Sequence, residues 1–447
     1  MGGNKARRRA AGWRAAWLIL ALAVLGASPA AATSTRPEPQ AVLRDWYRLV
    51  LELVRHTPTY SPPVASRAFA YLGVTAYEAA AGGSDALVPL AGQLNGLAPA
   101  PARETGAAYD EALVLHAALS EGAASFFGNT GPTGQRAIAA MKTRVGERIA
   151  AGIDPAVAVR SAAHGRAIAA HILAWSAADG GALVENMGFP LAYAPGAEPG
   201  TWRPTSTIAQ QQAPLLPAWG TNRPFAMPEG ASCPLPPPPA YSEADGSEFR
   251  RQAEEVRDAV RDLTPEQRAV ARFWSDDPML SPTPPGHWIS IALAVLDEDG
   301  TDFETQAETL ARLGVALADA FIGCWHEKYV HDLVRPVTYI RRSIDPAFEP
   351  ILATPPFPEY PSGHSTQSGA AAVVLTALFG EARAFEDATH ADDGLPARRF
   401  PSFWAAAEEA GISRLYGGIH FRAAIERGLD QGRCVGAYAV ALKTRAP

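Results

Sequence analysis

Apolar residues recur at helical spacing along most of the chain. Between Val42 and Ala80 they fall three or four positions apart, as at Leu49 and Leu53. Alternating runs rich in Val, Ile, Thr and Tyr, which would indicate strands, are almost absent. The pattern predicts an all-α protein built from packed helical bundles. Further helical patterns cover residues 104–126, 134–151, 155–178, 247–274, 288–296, 304–334, 365–379, 402–415 and 421–442.

The pattern changes between residues 189 and 248, where 13 of the 39 prolines fall. A stretch this long without regular structure is usually a linker or a functional loop. Trp202, Trp219 and Phe225 favour the second interpretation, because flexible linkers are poor in aromatic residues. We therefore expect residues 189–248 to be a proline-rich irregular segment that wraps over the helices.

Composition excludes several classes of protein. The 447 residues include 39 basic and 46 acidic ones, a net charge of −7, and 47% are hydrophobic. This is a globular balance, and the acidity disfavours a general nucleic-acid binder. The sequence has no HExxH zinc motif, GxSxG elbow or Walker phosphate loop. Asp387, Asp392 and Asp393 indicate a solvated acidic loop more than a calcium site.

The first 32 residues have the pattern of a secretory signal peptide. Five basic residues precede an apolar run at 15–27, and small residues follow at 28–32. The run is shorter than the roughly 20 residues of a spanning helix, so an uncleaved anchor is the less favoured alternative. We expect an exported protein, periplasmic or extracellular, with no stable membrane insertion after cleavage. Residues 33–447, with 34 basic and 46 acidic residues and a net charge of −12, would form a single helical domain.

Three cysteines, Cys233, Cys324 and Cys434, are too few for a disulfide framework or a four-cysteine zinc site. Export makes one disulfide possible and leaves an odd cysteine, but spacing assigns no pairing. Cys324 lies within an apolar helical pattern, where a buried, inert thiol is the common case.

Two cations lie on a predicted apolar helix face. Lys328 follows Trp325 by three positions, and Arg335 comes seven residues later, two turns along the same face. Pro336 then disfavours further helix. Buried cations need a negative partner, because an unpaired buried charge is costly. That partner could be a neighbouring acidic side chain or a bound anion, and snorkelling to solvent is a further alternative.

A proline-rich run at 356–361 leads into Ser362, Gly363 and His364, at the predicted start of a helix. Free N–H groups and the helix dipole attract an anion there, and Gly363 lets the backbone approach it closely. His364 could be an acid–base group. The alternative is a simple helix cap with an exposed polar histidine.

Arg414 ends one predicted helix, and a glycine turn separates it from His420, where the next helix begins. Together with the two cations and the helix terminus described above, Arg414 would complete a cage for a tetrahedral oxyanion. His420 would then be a ligand or a nucleophile aimed at the centre of the cage. A hydrogen-bonded structural histidine is the alternative.

These three segments resemble, in order and internal spacing, the signature of the superfamily that contains the vanadium-dependent haloperoxidases and the type 2 phosphatidic acid phosphatases. The matching residues are Lys328 with Arg335-Pro336, then Pro361-Ser362-Gly363-His364, then Ser413-Arg414 with His420. The resemblance implies paired helical bundles, with residues 270–445 carrying the catalytic motifs.

The resemblance also implies roles. Lys328, Arg335 and Arg414 would hold the equatorial oxygens of vanadate or phosphate, and Ser362 and the Gly363 backbone would add hydrogen bonds. In a haloperoxidase, His420 would bond vanadium and His364 would be the acid–base residue. In a phosphatase, His420 would be the nucleophile and His364 the proton donor. Vanadate adopts the shape of a phosphoryl group in its transition state, so the cage alone does not decide between the activities.

Several features resemble the haloperoxidase branch: the length, the lack of membrane spans in the mature chain, and three local matches. Trp325 and Phe357 match aromatic positions on the halide side of chloroperoxidases. Asp277, or else Asp276, matches an aspartate that pairs with the arginine equivalent to Arg414.

One position departs from the superfamily pattern. An aspartate that orients the histidine ring usually follows it by four residues, but this chain has Ala424 there. The change disfavours a phosphatase more than a peroxidase, since a histidine nucleophile needs that carboxylate most. Vanadate coordination would then require another acceptor, such as a carbonyl, to orient His420.

The resemblance therefore predicts an exported haloperoxidase that uses vanadate and hydrogen peroxide to oxidise a halide to hypohalous acid, which would halogenate a small organic acceptor. Phosphate could occupy the same site. The alternatives are an acid phosphatase with a histidine nucleophile and a non-catalytic oxyanion-binding protein. The halide preference and oligomeric state stay open.

Overall fold

Fourteen α-helices make up most of the part of the chain that the computed structural model describes, residues 36–446 without 186–187, 191–192, 207–212 and 278. This confirms the predicted all-α class. The predicted signal peptide lies outside the described residues. The helices are α1 Pro39–Arg55, α2 Pro62–Ala81, α3 Glu111–Phe126, α4 Gly131–Ala150, α5 Pro155–Ala177, α6 Gly181–Val184, α7 Glu248–Arg261, α8 Pro265–Phe273, α9 Thr283–Glu298, α10 Phe303–His331, α11 Pro336–Ser343, α12 Gly363–Phe379, α13 Phe403–Tyr416 and α14 Arg422–Val440.

Short polar side chains begin many of these helices. Asp302 accepts a hydrogen bond from the backbone of Thr305 at the start of α10, and Ser362 does the same for Ser365 at the start of α12. A two-stranded antiparallel hairpin lies between α12 and α13, with β1 Phe385–Asp387 paired to β2 Arg398–Phe400. No described helix is long and apolar enough to cross a membrane.

Helix α10 lies at the centre of the core, packed against α2, α12 and α14. Two glycines make these close approaches possible. A Cβ added to Gly73 of α2 would lie 2.7 Å from the Leu310 oxygen of α10, and one added to Gly432 of α14 would lie 2.3 Å from the Thr366 oxygen of α12. The start of α12 is thereby held against the middle of α14, and α2 against the first half of α10.

A smaller apolar cluster lies behind this junction. It joins α7, α11 and the first turn of α14 through buried side chains that include Phe249, Val337, Tyr339 and Ala424. The cluster fixes α11 and α14 relative to each other, and so the loops that precede them.

Arg335 does not lie on the same helix as Lys328. The prediction that one helix extends to residue 334, with both cations along the same face, is therefore wrong. Helix α10 ends at His331, and Asp332 follows in the left-handed conformation with φ 43°. Arg335 is the residue before α11, and Pro336 begins that helix instead of preventing one. The physical reason is that proline's fixed φ and missing N–H suit the first helical position.

The proline-rich segment contacts the helices along its described length. The Trp202 N–H donates to the Asp332 oxygen at 2.8 Å. The buried carboxylate of Asp319, on α10, accepts the N–H groups of residues 225–227 at 2.6–2.8 Å. Trp202, Trp219 and Phe225 are all buried. These contacts attach the segment to the helix that carries Lys328.

A disulfide joins Cys233, in the proline-rich segment, to Cys434 on α14 across 201 residues of sequence. Cys324 is buried and free, as its apolar context predicts. The bond ties the segment to the helix that follows His420.

Candidate active site

The ammonium of Lys328 is fully buried and donates to main-chain carbonyls of the loop before α12. Its Nζ lies 2.9 Å from the Pro358 oxygen and 3.1 Å from the Glu359 oxygen, and it also donates to Pro361. Lys328 therefore orders the loop directly, and makes no ion pair with a described carboxylate. Burial lowers the pKa of Lys328 to about 7.

Arg335 spans the distance between the same loop and His420. Its Nε donates to the Phe357 oxygen at 2.8 Å, and its Nη1 donates to the Ile419 oxygen at 3.0 Å and lies 3.2 Å from His420 Nε2. Its Nη2 is buried and has no hydrogen-bond partner among the described residues. One arm of the guanidinium thus remains available to a bound anion.

Arg414, near the end of α13, is buried on the other side of the site. Its Nη1 lies 2.8 Å from His364 Nε2, while Nε and Nη2 have no partner in the described part of the chain. Burial lowers the pKa of Arg414 to about 10, and the charges of Asp276 and Asp277 oppose this shift. Both aspartates predicted as alternatives thus act on Arg414, although neither is hydrogen-bonded to it among the described contacts.

His420 is oriented by a carboxylate that sequence analysis missed. Glu359 is fully buried, and its Oε1 lies 2.8 Å from His420 Nδ1 and accepts the Phe421 N–H at 2.8 Å. In the sequence, the only signal for this role was the position of Glu359, a carboxylate in the proline-rich run that precedes Ser362-Gly363-His364. Glu359 supplies the carboxylate that the superfamily pattern places at position 424, where this chain has alanine. The expected carbonyl acceptor is therefore not needed.

This contact selects one tautomer of His420. Glu359 accepts a hydrogen bond from the Nδ1–H, so Nε2 carries the lone pair and accepts from Arg335 Nη1. Burial and the surrounding cations hold the pKa of His420 well below its usual value, so the ring is neutral. A neutral ring with an unprotonated Nε2 is what a metal ligand or a nucleophile requires.

Ser362 caps α12 and is fully buried, so the first N–H groups of the helix lie in the protein interior. A Cβ added to Gly363 would meet Trp325 at 3.7 Å, an ordinary contact. The protein's own packing therefore does not require glycine, and close approach to a bound anion remains the predicted reason for it.

His364 lies between Arg414 and Asp276, whose Oδ2 is 3.7 Å from His364 Nε2. The side chain is 17% exposed, so solvent reaches it. Burial, followed by the charge of Arg414, lowers the pKa of His364 to about 4, against the raising effect of Asp276. The ring is therefore neutral near pH 7 and can accept a proton.

A buried cluster behind His364 also escaped sequence analysis. His287 lies between two carboxylates, 2.9 Å from Asp276 Oδ1 and 2.8 Å from Asp387 Oδ2, and His390 lies 3.3 Å from Asp276. Asp387 is buried, so the prediction that it belongs to a solvated loop is wrong. It is drawn inward because the charge of His287 compensates its burial. Asp277 is only half-buried.

Two aromatic rings lie against the cations of the site. The rings of Trp325 and Phe357 are 4.9 Å apart between centroids, and Lys328 Nζ is 5.1 Å from the Phe357 centroid. The Arg335 guanidinium is 4.9 Å from the same ring. These rings give the predicted anion site one apolar wall.

The donor set fits vanadate or phosphate. Three buried guanidinium nitrogens, Arg335 Nη2 with Arg414 Nε and Nη2, have no partner among the described residues. Buried donors without partners are costly, and a tetrahedral oxyanion would satisfy them. His420 Nε2 would be the protein ligand to vanadium.

Comparison with known proteins gives similarities in sequence and in fold. A family model described as the VCPO second helical-bundle domain matches residues 308–446. A bacterial vanadium-dependent iodoperoxidase structure is similar with TM-score 0.83 and 38% identity, covering 90% of this chain and 96% of that one. A bacterial vanadium-dependent chloroperoxidase in its apo form has TM-score 0.66 and 16% identity, covering 88% and 96%, and shows the fold alone. The comparison with curated protein sequences finds no significant match. From the fold, the site and the 38% identical relative, the chain belongs to the vanadium-dependent haloperoxidase family.

Proposed function

We propose that this protein is an exported, vanadate-dependent haloperoxidase that uses hydrogen peroxide to oxidise a halide, with iodide the first to test. The observation that carries the proposal is the neutral His420, which Glu359 orients so that Nε2 lies beside unpaired arginine donors. Iodide comes first because the 38% identical relative is an iodoperoxidase.

Vanadate, when bound, would supply pentavalent Lewis-acid chemistry that activates peroxide without a change of oxidation state. The chain's own residues would prepare the site for it. Lys328, Arg335 and Arg414 would neutralise its negative charge, and the N-terminus of α12 would add backbone donors. The anion would in turn raise the lowered pKa of Lys328 and favour its charged form.

His364 would be the acid–base residue. The overall reaction combines one halide, one hydrogen peroxide and one proton to give hypohalous acid and water. His364 is neutral near pH 7 and partly exposed, so it can take a proton from incoming peroxide and return it to the departing oxygen. Arg414, which lies 2.8 Å from the ring, would hold it toward the anion.

Trp325 and Phe357 would form the halide side of the site. Large, weakly hydrated anions tolerate an aromatic wall if cations lie behind it, and Lys328 and Arg335 lie against these rings. A small organic acceptor would then react with the hypohalous acid that is released.

The test is halide oxidation by purified protein loaded with vanadate, given peroxide with iodide, bromide or chloride in turn. We expect turnover that requires vanadate and is lost in His420→Ala. Glu327→Gln serves as a matched control, because Glu327 is a buried glutamate that pairs with His331 on α10. Absence of turnover with every halide, in protein shown to bind vanadate, would refute the proposal.

A phosphatase remains the second candidate, because Glu359 supplies the carboxylate that a histidine nucleophile needs. Hydrolysis of an aryl phosphate that continues without vanadate and stops in His420→Ala would favour it over the peroxidase.

Export is part of the proposal. The basic and apolar N-terminal pattern predicts a signal peptide, and the Cys233–Cys434 disulfide is typical of oxidising compartments. Fractionation of cells that express the full chain tests it. Protein that stays in the cytoplasm with both cysteines reduced would count against export.

A further inference from the structure

The buried cluster behind His364 consists of acidic and basic side chains in alternation. Asp387 contacts His287 Nε2, and His287 Nδ1 contacts both oxygens of Asp276 at 2.9 and 3.1 Å. Oδ2 of Asp276 also lies 3.7 Å from His364 Nε2. Neither Asp276 nor His287 has more than 3% of its surface exposed, so protein groups must balance their charges.

The arrangement favours a charged His287. Two buried carboxylates around one imidazole raise the pKa of His287 to about 10, and its charge helps to hold the pKa of Asp276 well below the usual value. Asp276 therefore stays ionised with a permanent positive partner. Both ring nitrogens of His287 lie at hydrogen-bond distance from carboxylate oxygens, and a protonated ring donates at both nitrogens.

We propose that His287 is a positioning residue for His364: together with Asp387 it gives Asp276 a permanent positive partner, so that Asp276 does not draw a proton onto His364 in the resting site. The inference rests on the proposed function, in which a neutral His364 accepts the proton of peroxide. Without His287, the buried Asp276 carboxylate would take its counter-charge from His364, which would then rest as imidazolium and be unable to act as a base.

The other charged groups around His364 and Asp276 are accounted for. Arg414 Nη1 lies 2.8 Å from the same His364 nitrogen that faces Asp276, and the charge of Arg414 disfavours protonation of the ring. His390 lies 3.3 Å from Asp276 and 3.1 Å from Asp393, so it can share part of the role of His287. Asp277 is only half-buried, and solvent weakens its charge.

The test follows the titration of the His364 ring by NMR in vanadate-free protein with labelled histidines. The chain has ten histidines, so a His364→Ala spectrum is enough to assign the signal. We expect His287→Gln to raise the pKa of His364 by at least about one unit, tenfold in proton affinity. We expect Asp276→Asn to lower it, because the carboxylate that attracts the proton is gone.

His287→Asn is the second variant, in case His287→Gln does not fold. It removes the same positive charge beside Asp276, so the expected shift of the His364 pKa is again upward. In vanadate-loaded enzyme, the acidic limb of the pH–rate profile should move in the same direction as the ring titration. The NMR measurement needs no turnover, so it remains decisive if the protein proves not to be a peroxidase.

Two results would overturn the proposal. One is a His364 pKa that is unchanged in both His287→Gln and His287→Asn, or that rises in Asp276→Asn. The other is a stoichiometric divalent metal in purified protein that disappears in His287→Gln, because a metal would replace the proton on His287.

Discussion

Replacing Glu359 by glutamine should weaken vanadate binding more than phosphate binding. Glutamine keeps the shape of the side chain and an oxygen that can accept the Phe421 N–H. Burial raises the pKa of Glu359 to about 7, so at pH 8 the substitution removes a charged carboxylate 2.8 Å from His420 Nδ1. The ring would lose the partner that fixes its tautomer and raises the basicity of Nε2.

The magnitude follows from the type of hydrogen bond. A bond to a charged group contributes about 1.5–3 kcal/mol and a neutral one about 0.5–1.5 kcal/mol, so the change costs about 1–2 kcal/mol. Each 1.4 kcal/mol is a factor of ten, so vanadate should bind roughly 5–30-fold more weakly. Phosphate needs no bond from His420 Nε2, and it gains from the removal of a nearby negative charge. Its affinity should stay the same or increase.

The assay is calorimetric titration of the wild type and Glu359→Gln with each anion, read as the ratio of the two dissociation constants. Glu327→Gln is the matched control, because it neutralises another buried glutamate that pairs with a histidine. Its ratio should stay at the wild-type value. An unchanged ratio in Glu359→Gln, in protein that melts normally, would show that Glu359 does not tune His420.

Three further predictions concern the cage and its support. At pH 8 sulfate binding should be accompanied by proton uptake. Without a bound anion Lys328 has a pKa of about 7, and the anion would restore its charge. Calorimetry in buffers of different ionisation enthalpy measures the uptake, and proton release would contradict the prediction. Arg414→Lys keeps the charge but loses the planar guanidinium, so vanadate affinity should fall about tenfold, or about 1.4 kcal/mol. Equal affinity of the variant and the wild type in the same titration would contradict a role for the unpaired nitrogens of Arg414. Removing the Cys233–Cys434 bond, by replacing both cysteines with alanine, should lower the free energy of unfolding by about 2–5 kcal/mol. Urea denaturation tests this, with reduced wild-type protein as the comparison, and equal midpoints for the oxidised wild type and the variant would contradict it.

The helices themselves were largely predictable, because apolar spacing and caps act over a few residues. Ser362 caps α12 where the sequence predicts it, and Arg414 precedes the turn to His420. The break between Lys328 and Arg335 was not predicted. Helical spacing continues past His331, but the left-handed Asp332 and the start of α11 at Pro336 depend on where the chain must turn.

The sequence by itself determined the all-α class and indicated the residues that are proposed to form the anion cage, since each motif is local and keeps a fixed spacing. Only the tertiary structure decided which carboxylates contact His420 and His287. Glu359 contacts His420 across 61 residues of sequence, and His287 contacts Asp387 across 100. A buried charge is stabilised by whichever opposite charge the fold brings within about 3 Å, and no local pattern specifies that partner. Ala424 therefore marked a missing carboxylate, and the packing of the loop before α12 supplied it.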